Sequence, residues 1–201
     1  IRERYVHRGL SFESALIDSL LRLTEGDRNV LVGAFDEITP TSHTIHERMG
    51  MLRGTMAGEG AQFFLLSREK TEKSIARIAA PLTFTKLHHT DKQTDAQPET
   101  VKEKITGYLK SNGLSPQDIE LFICGKNGNT SQDAIYQTIE ELFSHARCET
   151  FKDGCGEYQT ATAFAVWLTT QRLSEDKSIK HALIYNHYYG TDHSLILISR
   201  P

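Results

Sequence analysis

No stretch of this chain is apolar for long enough to span a bilayer, so no membrane partner is expected. Charge of one sign is also missing. Lys and Arg number 23 against 26 Asp and Glu, the net charge is −3, and the basic residues are scattered rather than striped. A nucleic-acid partner needs a basic face, and none is present. Cysteine is scarce. Cys124, Cys148 and Cys155 are odd in number and widely spaced, which argues against a disulfide framework. No charged-then-apolar leader with a small-residue cleavage site opens the sequence, so a cytoplasmic location is expected. The first residue is Ile1 and a structured pattern follows at once, so an upstream portion is expected to be absent. No cofactor is expected. No metal is expected either: Glu47 directly follows His46 instead of standing a helical turn away, and His43, His46 and Glu47 read as loop surface.

What is present is ordinary globular material, 201 residues with 38% apolar and 24% charged, enough for one large domain or two small ones. Phe12, Ala15, Leu16, Leu20 and Leu23 recur near helical spacing over 11–23, with Gly26 as the C-terminal cap. The run Val30 to Ala34 reads as a strand covered on both faces. Residues 36–60 form a long excursion, functional or partly helical. Strands are expected over 62–67 and 75–87, then a polar linker from His88 to Pro98. Thr100 and Glu103 offer a capping box for a helix carrying Val101, Ile105 and Leu109. Ser115-Pro116 turns the chain into a strand over 119–124. A helix follows over 132–144, then another over 158–173 that is apolar almost all round and so is expected to be buried on every side. Strands over 182–186 and 195–199 close the chain. Helix, strand, excursion, strand over 11–67 recurs over 157–199 as helix, strand, turn, strand. That repeat fits a layered α/β fold with two related halves and buried central helices.

Four motifs, in order along the chain, resemble one family. Val30-Leu31-Val32-Gly33-Ala34 with the loop to Pro40 resembles the strand and loop of the β-ketoacyl synthases. Gly58-Glu59-Gly60-Ala61 resembles that family's turn before an apolar strand, and Leu114 to Ile119 the turn before its next block. Asn186 with Gly190-Thr191-Asp192 and Ser194-Leu195 resembles its closing loop and last strand. The resemblance implies the thiolase-like fold, layered α/β/α/β/α, present here as a partial chain lacking the first strands of the N-terminal half. Residues 1–87 would finish that half and 98–201 would supply the C-terminal one. It also implies an acyl carrier protein as client, and a dimer.

The family's chemistry uses a Cys nucleophile at the N-terminus of a buried helix, two His residues and a Lys. By this resemblance the Cys station falls at Gly9, within a residue or two, where no Cys occurs. The first His station falls in the block 125–130, at Lys126, and the second at Glu157 after Gly156. Lys152 matches the family Lys. All three stations are therefore read as vacated. Surrogates are Ser11, His7 and Cys155. Ser11 reads first as the cap of its helix, His7 as an ordinary loop residue and Cys155 as a structural thiol, although beside Lys152 and a helix start its pKa could be lowered. Lys152 and Glu157 make either a buried pair or an exposed one. Tyr185, Tyr188 and Tyr189 are expected to line or border the pocket with Lys152, Glu157, Gly190 and Thr191.

The expected function is a synthase-like protein of fatty-acid, polyketide or polyene assembly that does not condense by itself. It would pair with an active β-ketoacyl synthase subunit, as chain-length-factor relatives do. An active acyltransferase or thioester hydrolase with a rearranged site, and a homodimer that binds an acyl group or carrier protein, remain open alternatives.

Overall fold

The computed structural model describes residues 3–85 and 98–201. Except for Pro98, which opens a helix, the expected linker lies outside the described residues.

The strands divide into two sheets. β1 (Asn29–Asp36) and β2 (Gly60–Ser67) form an antiparallel pair in register from Asn29 opposite Ser67 to Asp36 opposite Gly60. The second sheet holds β3 (Arg77–Ile78), β4 (Leu82–Thr85), β5 (Leu121–Cys124), β6 (Arg147–Thr150), β7 (His181–Tyr188) and β8 (Asp192–Ser199). Its order is β3-β8-β7-β5-β6, with β4 also on β8. β5 runs parallel to β6 and β7, whereas β8 is antiparallel to β7. Sheet membership changes between β2 and β3, ahead of residue 87.

The helices are α1 (Ser11–Glu25), α2 (Pro40–Arg48), α3 (Pro98–Ser111), α4 (Thr130–Glu140), α5 (Lys152–Cys155) and α6 (Thr162–Glu175). Strand alternation sorts the second sheet's side chains between two cores. Leu121, Ile123, Ala182, Ile184, Ile196 and Ile198 face α1 and α6. Phe122, Cys124, Leu183, Tyr185, Leu195 and Leu197 face α3 and α4. Because both faces are covered, these strands read as near-continuous apolar runs. Each large side chain fully buried there contributes roughly 1.5–3 kcal/mol.

The layers run β1–β2 sheet, α1 and α6, larger sheet, α3 and α4, which are four of the five expected. On the outer face of the small sheet Leu31, Phe35, Phe63 and Leu65 are 61–70% exposed. The expectation that 30–34 is covered on both faces is thus corrected: only Val32 and Ala34 are buried, against α1 and α6.

Other expectations shift locally. Ser11 does not cap α1. It is the first helical residue, and its hydroxyl closes the preceding turn by accepting from the His7 N–H (2.8 Å) and donating to the Arg8 carbonyl (2.7 Å). Thr100 lies inside α3, which starts at Pro98, so the box over Thr100 and Glu103 does not form the cap. The strand expected over 75–87 is two short strands, β3 and β4. The helix expected from 158 starts at Thr162, and Trp167 is 43% exposed, so α6 is not buried on every side. Gly26 does end α1, at φ +128°, a conformation that favours glycine.

Candidate active site

The chain brings four distant segments together at one end of the buried helices. The end of β1 with α2, the Gly58 turn, the residues between α5 and α6 and the end of β7 surround a cleft of about 190 Å³. Two glycines make the approach possible. A Cβ on Gly58 would lie 2.0 Å from the Cys155 carbonyl oxygen, and one on Gly9 would lie 2.3 Å from Tyr188 Cβ. Backbone bonds lock the first contact: the Gly58 N–H donates to the Glu157 carbonyl (3.0 Å), and the Glu157 N–H to Met56 O (2.8 Å).

Glu157 sits at the base of this cleft. Its Oε2 accepts from Lys152 Nζ at 2.8 Å and from Asn127 Nδ2 at 2.7 Å. The Lys152 and Glu157 side chains are 1% and 4% exposed, so the pair is buried. Its desolvation is offset by the short ion pair and the added amide bond. Asn127 is itself fixed. Its N–H donates to Asp133 Oδ1 (3.0 Å), its Nδ2 also donates to Gln132 Oε1 (3.1 Å), and its Oδ1 accepts from the Asn129 N–H (3.0 Å). Lys126, where the resemblance puts the first His, points elsewhere and pairs with Glu140 (2.6 Å). The residue of that block that reaches Glu157 is its neighbour Asn127, which the sequence reading missed.

At the opposite wall, Gly9 packs on Tyr188. Arg8 (φ +47°) and Tyr189 (φ +51°) flank that contact and are the two non-glycine residues with left-handed backbone among the described residues. Such conformations cost on the order of 1–3 kcal/mol each and cluster at functional sites. Tyr188 and Tyr189 line the cleft, and their rings meet edge to face at 4.3 Å. Gly190 and Thr191 form the turn behind them, where the Thr191 N–H donates to the Tyr188 carbonyl (3.1 Å). Tyr185 does not border the cleft. It is buried in the second core, its hydroxyl 3.0 Å from His193 Nδ1.

Asp36 at the end of β1 also lines the cleft, held by Thr160 through its N–H (2.8 Å) and Oγ1 (2.6 Å). Glu59 accepts from the Ile38 N–H (2.9 Å) and ties the Gly58 turn to the start of the excursion. That excursion is helical: Thr39 caps α2 with Pro40 at its first turn, and His43 and His46 face the cleft rather than loop surface. The Thr-Pro-x-Ser spacing carried this signal in the sequence. No group of three His, Cys, Asp or Glu side chains suited to a metal occurs among the described residues, and no helix there is long and apolar enough to cross a membrane.

The surrogate nucleophiles are poorly equipped. The Ser11 hydroxyl is committed to backbone, and His7 Nδ1 lies 3.2 Å from Ser14 Oγ instead. Burial pushes the Cys155 thiol up to about 12, opposite to the lowered value its neighbours invited, because desolvation outweighs the Lys152 charge. Ser42, the one serine on the cleft wall among the described residues, donates to the Thr39 carbonyl within its capping box.

Neither protein-family profiles nor curated protein sequences give a match to this chain. Solved structures do. A ketosynthase–chain length factor named PfaC superposes with a TM-score of 0.78 at 16% identity, over 96% of this chain and 22% of that one. The ketosynthase from module 6 of the bacillaene synthase of Bacillus subtilis 168 gives 0.77 at 14%, over 96% and 46%. A type II ketosynthase, AntDE, solved with its acyl-carrier protein AntF, gives 0.73 at 12%, over 99% and 59%. This chain has the thiolase-like fold of the ketosynthases. It spans between about a fifth and three fifths of the length of these proteins.

Proposed function

We propose that this chain is a ketosynthase-fold subunit of fatty-acid, polyketide or polyene assembly that does not condense acyl units itself. The observation that carries this reading is the buried Lys152–Glu157–Asn127 group. Where the family resemblance calls for a second His, a carboxylate is bound on one oxygen by an ammonium and an amide. A carboxylate so held is a poor donor to the developing enolate oxygen of a decarboxylating malonyl group, which needs N–H or O–H groups aimed at it. No Cys lies near Gly9 along the chain, and the nearest hydroxyl in sequence, that of Ser11, is bound to backbone. Stations read as vacated at Gly9, Lys126 and Glu157 on a ketosynthase-like fold favour a role beside an active synthase, shaping the acyl chain in the manner of a chain length factor. An acyl carrier protein is then the client of the pair. Likeness in fold to a ketosynthase–chain length factor, and to a ketosynthase bound by its acyl-carrier protein, supports the partner classes.

The test is covalent trapping. Incubation with malonyl and acyl thioesters, followed by intact-mass measurement, is expected to give no adduct, no decarboxylation and no condensation. Co-expression with a synthase subunit and carrier protein is expected to give a stable complex. An adduct lost on substitution of Ser11, His7 or Cys155 would establish the rearranged acyltransferase or hydrolase instead. A stable homodimer that ignores synthase subunits would establish the acyl- or carrier-binding alternative.

A further inference from the structure

The tyrosine wall of the cleft is a strained turn. Tyr188–Thr191 joins β7 to β8, with the Thr191 N–H on the Tyr188 carbonyl (3.1 Å) and positive φ at Tyr189 (+51°) and Gly190 (+68°). Those are the signs of a type I′ turn, which takes Asn, Asp or Gly at its first central position. A tyrosine persists there only where its surroundings over-determine it. His187 supplies the constraint. It is 2% exposed, its ring stacks on Tyr136 at 4.7 Å between centroids, and its backbone N–H donates to the Tyr136 hydroxyl (3.0 Å). Its Nδ1 accepts from the Gly190 N–H (3.1 Å), and its Nε2 lies 3.0 Å from the Gln132 carbonyl oxygen. A carbonyl only accepts and an amide N–H only donates. The partners therefore fix one tautomer of His187, neutral and with its proton on Nε2.

Gln132 also anchors the base of the cleft. Its Oε1 accepts from Asn127 Nδ2 (3.1 Å), and the same Nδ2 donates to Glu157 Oε2 (2.7 Å). Asp133, the next residue of α4, accepts from the Asn127 and Gly128 N–H groups at 3.0 Å each. That ties the loop to the first turn of α4 as one piece. Hydrogen bonds thus run without a break from Lys152 through Glu157, Asn127, Gln132 and His187 to Gly190. We propose that the first turn of α4 and His187 couple the base of the cleft to its wall, so that the Glu157 carboxylate and the Tyr188–Tyr189 turn loosen and tighten together. His187 does not line the cleft and acts as a positioning residue. A molecule that pushes Tyr188 or Tyr189 aside on entry weakens the hold of Asn127 on Glu157, and loss of that hold frees the turn to the same degree. The coupling is carried by bonds within the chain and stands whether or not the chain works beside a synthase.

Amide hydrogen exchange of the whole chain, followed by NMR at pH 7, tests the coupling from both ends. Asn127→Ala, a change at the base, is expected to speed exchange of the Gly190 N–H by about tenfold beyond any change at Leu183 and Ile184 in the same hairpin. His187→Phe keeps a ring on Tyr136 but loses both ring bonds, and it is expected to speed exchange of the Asn127 side-chain amide by about the same factor over the same reference amides. Equal acceleration at Gly190 and at Leu183, which is the mark of general destabilisation, overturns the proposal. So does an effect at one end without the other, since coupling is reciprocal. If His187→Phe does not fold, the Asn127→Ala comparison decides alone.

Discussion

Removing the cation from the buried pair is the most informative perturbation of this molecule. In Lys152→Met, Glu157 keeps its Asn127 bond but loses the ammonium 2.8 Å away. At an effective dielectric of about 20, that separation corresponds to roughly 6 kcal/mol of Coulomb attraction, most of it offset by desolvation of both ions. The net worth of the intact pair is therefore small, but a lone buried carboxylate is not. Breaking one side is expected to cost about 3–5 kcal/mol, a large share of the ~5–15 kcal/mol that holds a domain folded. The midpoint of thermal unfolding should fall by about 10 °C for a chain of this size. Replacing both partners, as in Lys152→Met with Glu157→Leu, should recover much of the loss, because no buried charge is then stranded. Urea denaturation of wild type, both single variants and the double variant at pH 7 gives the coupling energy directly. A single-variant cost below about 1 kcal/mol is the value for an exposed pair, and it would refute both the buried geometry and the vacated-station reading built on it.

Other outcomes follow from the same packing. Gly58→Ala is expected to destabilise by about 2–4 kcal/mol, since its Cβ would meet the Cys155 carbonyl oxygen at 2.0 Å. Gly107→Ala, on the exposed side of α3 with nothing within 4 Å, should stabilise by about 0.5–1 kcal/mol in the same denaturation assay. His187 is buried and neutral, its pKa lowered to about 3 by desolvation and the Lys152 charge. The unfolded chain binds a proton there that the folded chain refuses. Stability should therefore be fully present above the unfolded pKa near 6.5 and fall as pH drops toward 3, by up to about 1.4 kcal/mol per unit. His187→Asn should flatten that slope in a series of urea curves from pH 4 to 7. Glu13 is fully buried and its pKa is raised by desolvation, so its contribution has the opposite sign: present below the ordinary carboxylate pKa and lost as pH rises. Glu13→Gln removes that titration, so its stability measured against wild type should be higher at pH 8 than at pH 5.

The sequence by itself determined the elements whose signals are local. Periodicity in α1, with Gly26 behind it, and the apolar runs of β5, β7 and β8 depend on near neighbours and on coverage of both faces, and both leave a clear pattern. The order of four short motifs was enough to point to the thiolase-like fold. β6 left no such mark: Arg147-Cys148-Glu149-Thr150 is polar, and it is a strand only because β5 offers an edge. The small sheet misled in the opposite way. Its apolar run is the same kind as in β5, yet one face stands open, because coverage is a property of what packs on a strand and not of the strand. Only the tertiary structure decided between a buried and an exposed Lys152–Glu157 pair, since the distance from each to solvent is set by Gly58, Asn127 and Tyr188, far away in sequence. It also decided that Asn127 rather than Lys126 faces Glu157, because one residue of register in a loop turns a side chain to the other wall. And it raised the Cys155 thiol where the local charges argued for lowering it: charge can be read from neighbours in the sequence, but desolvation depends on everything that surrounds the group in space.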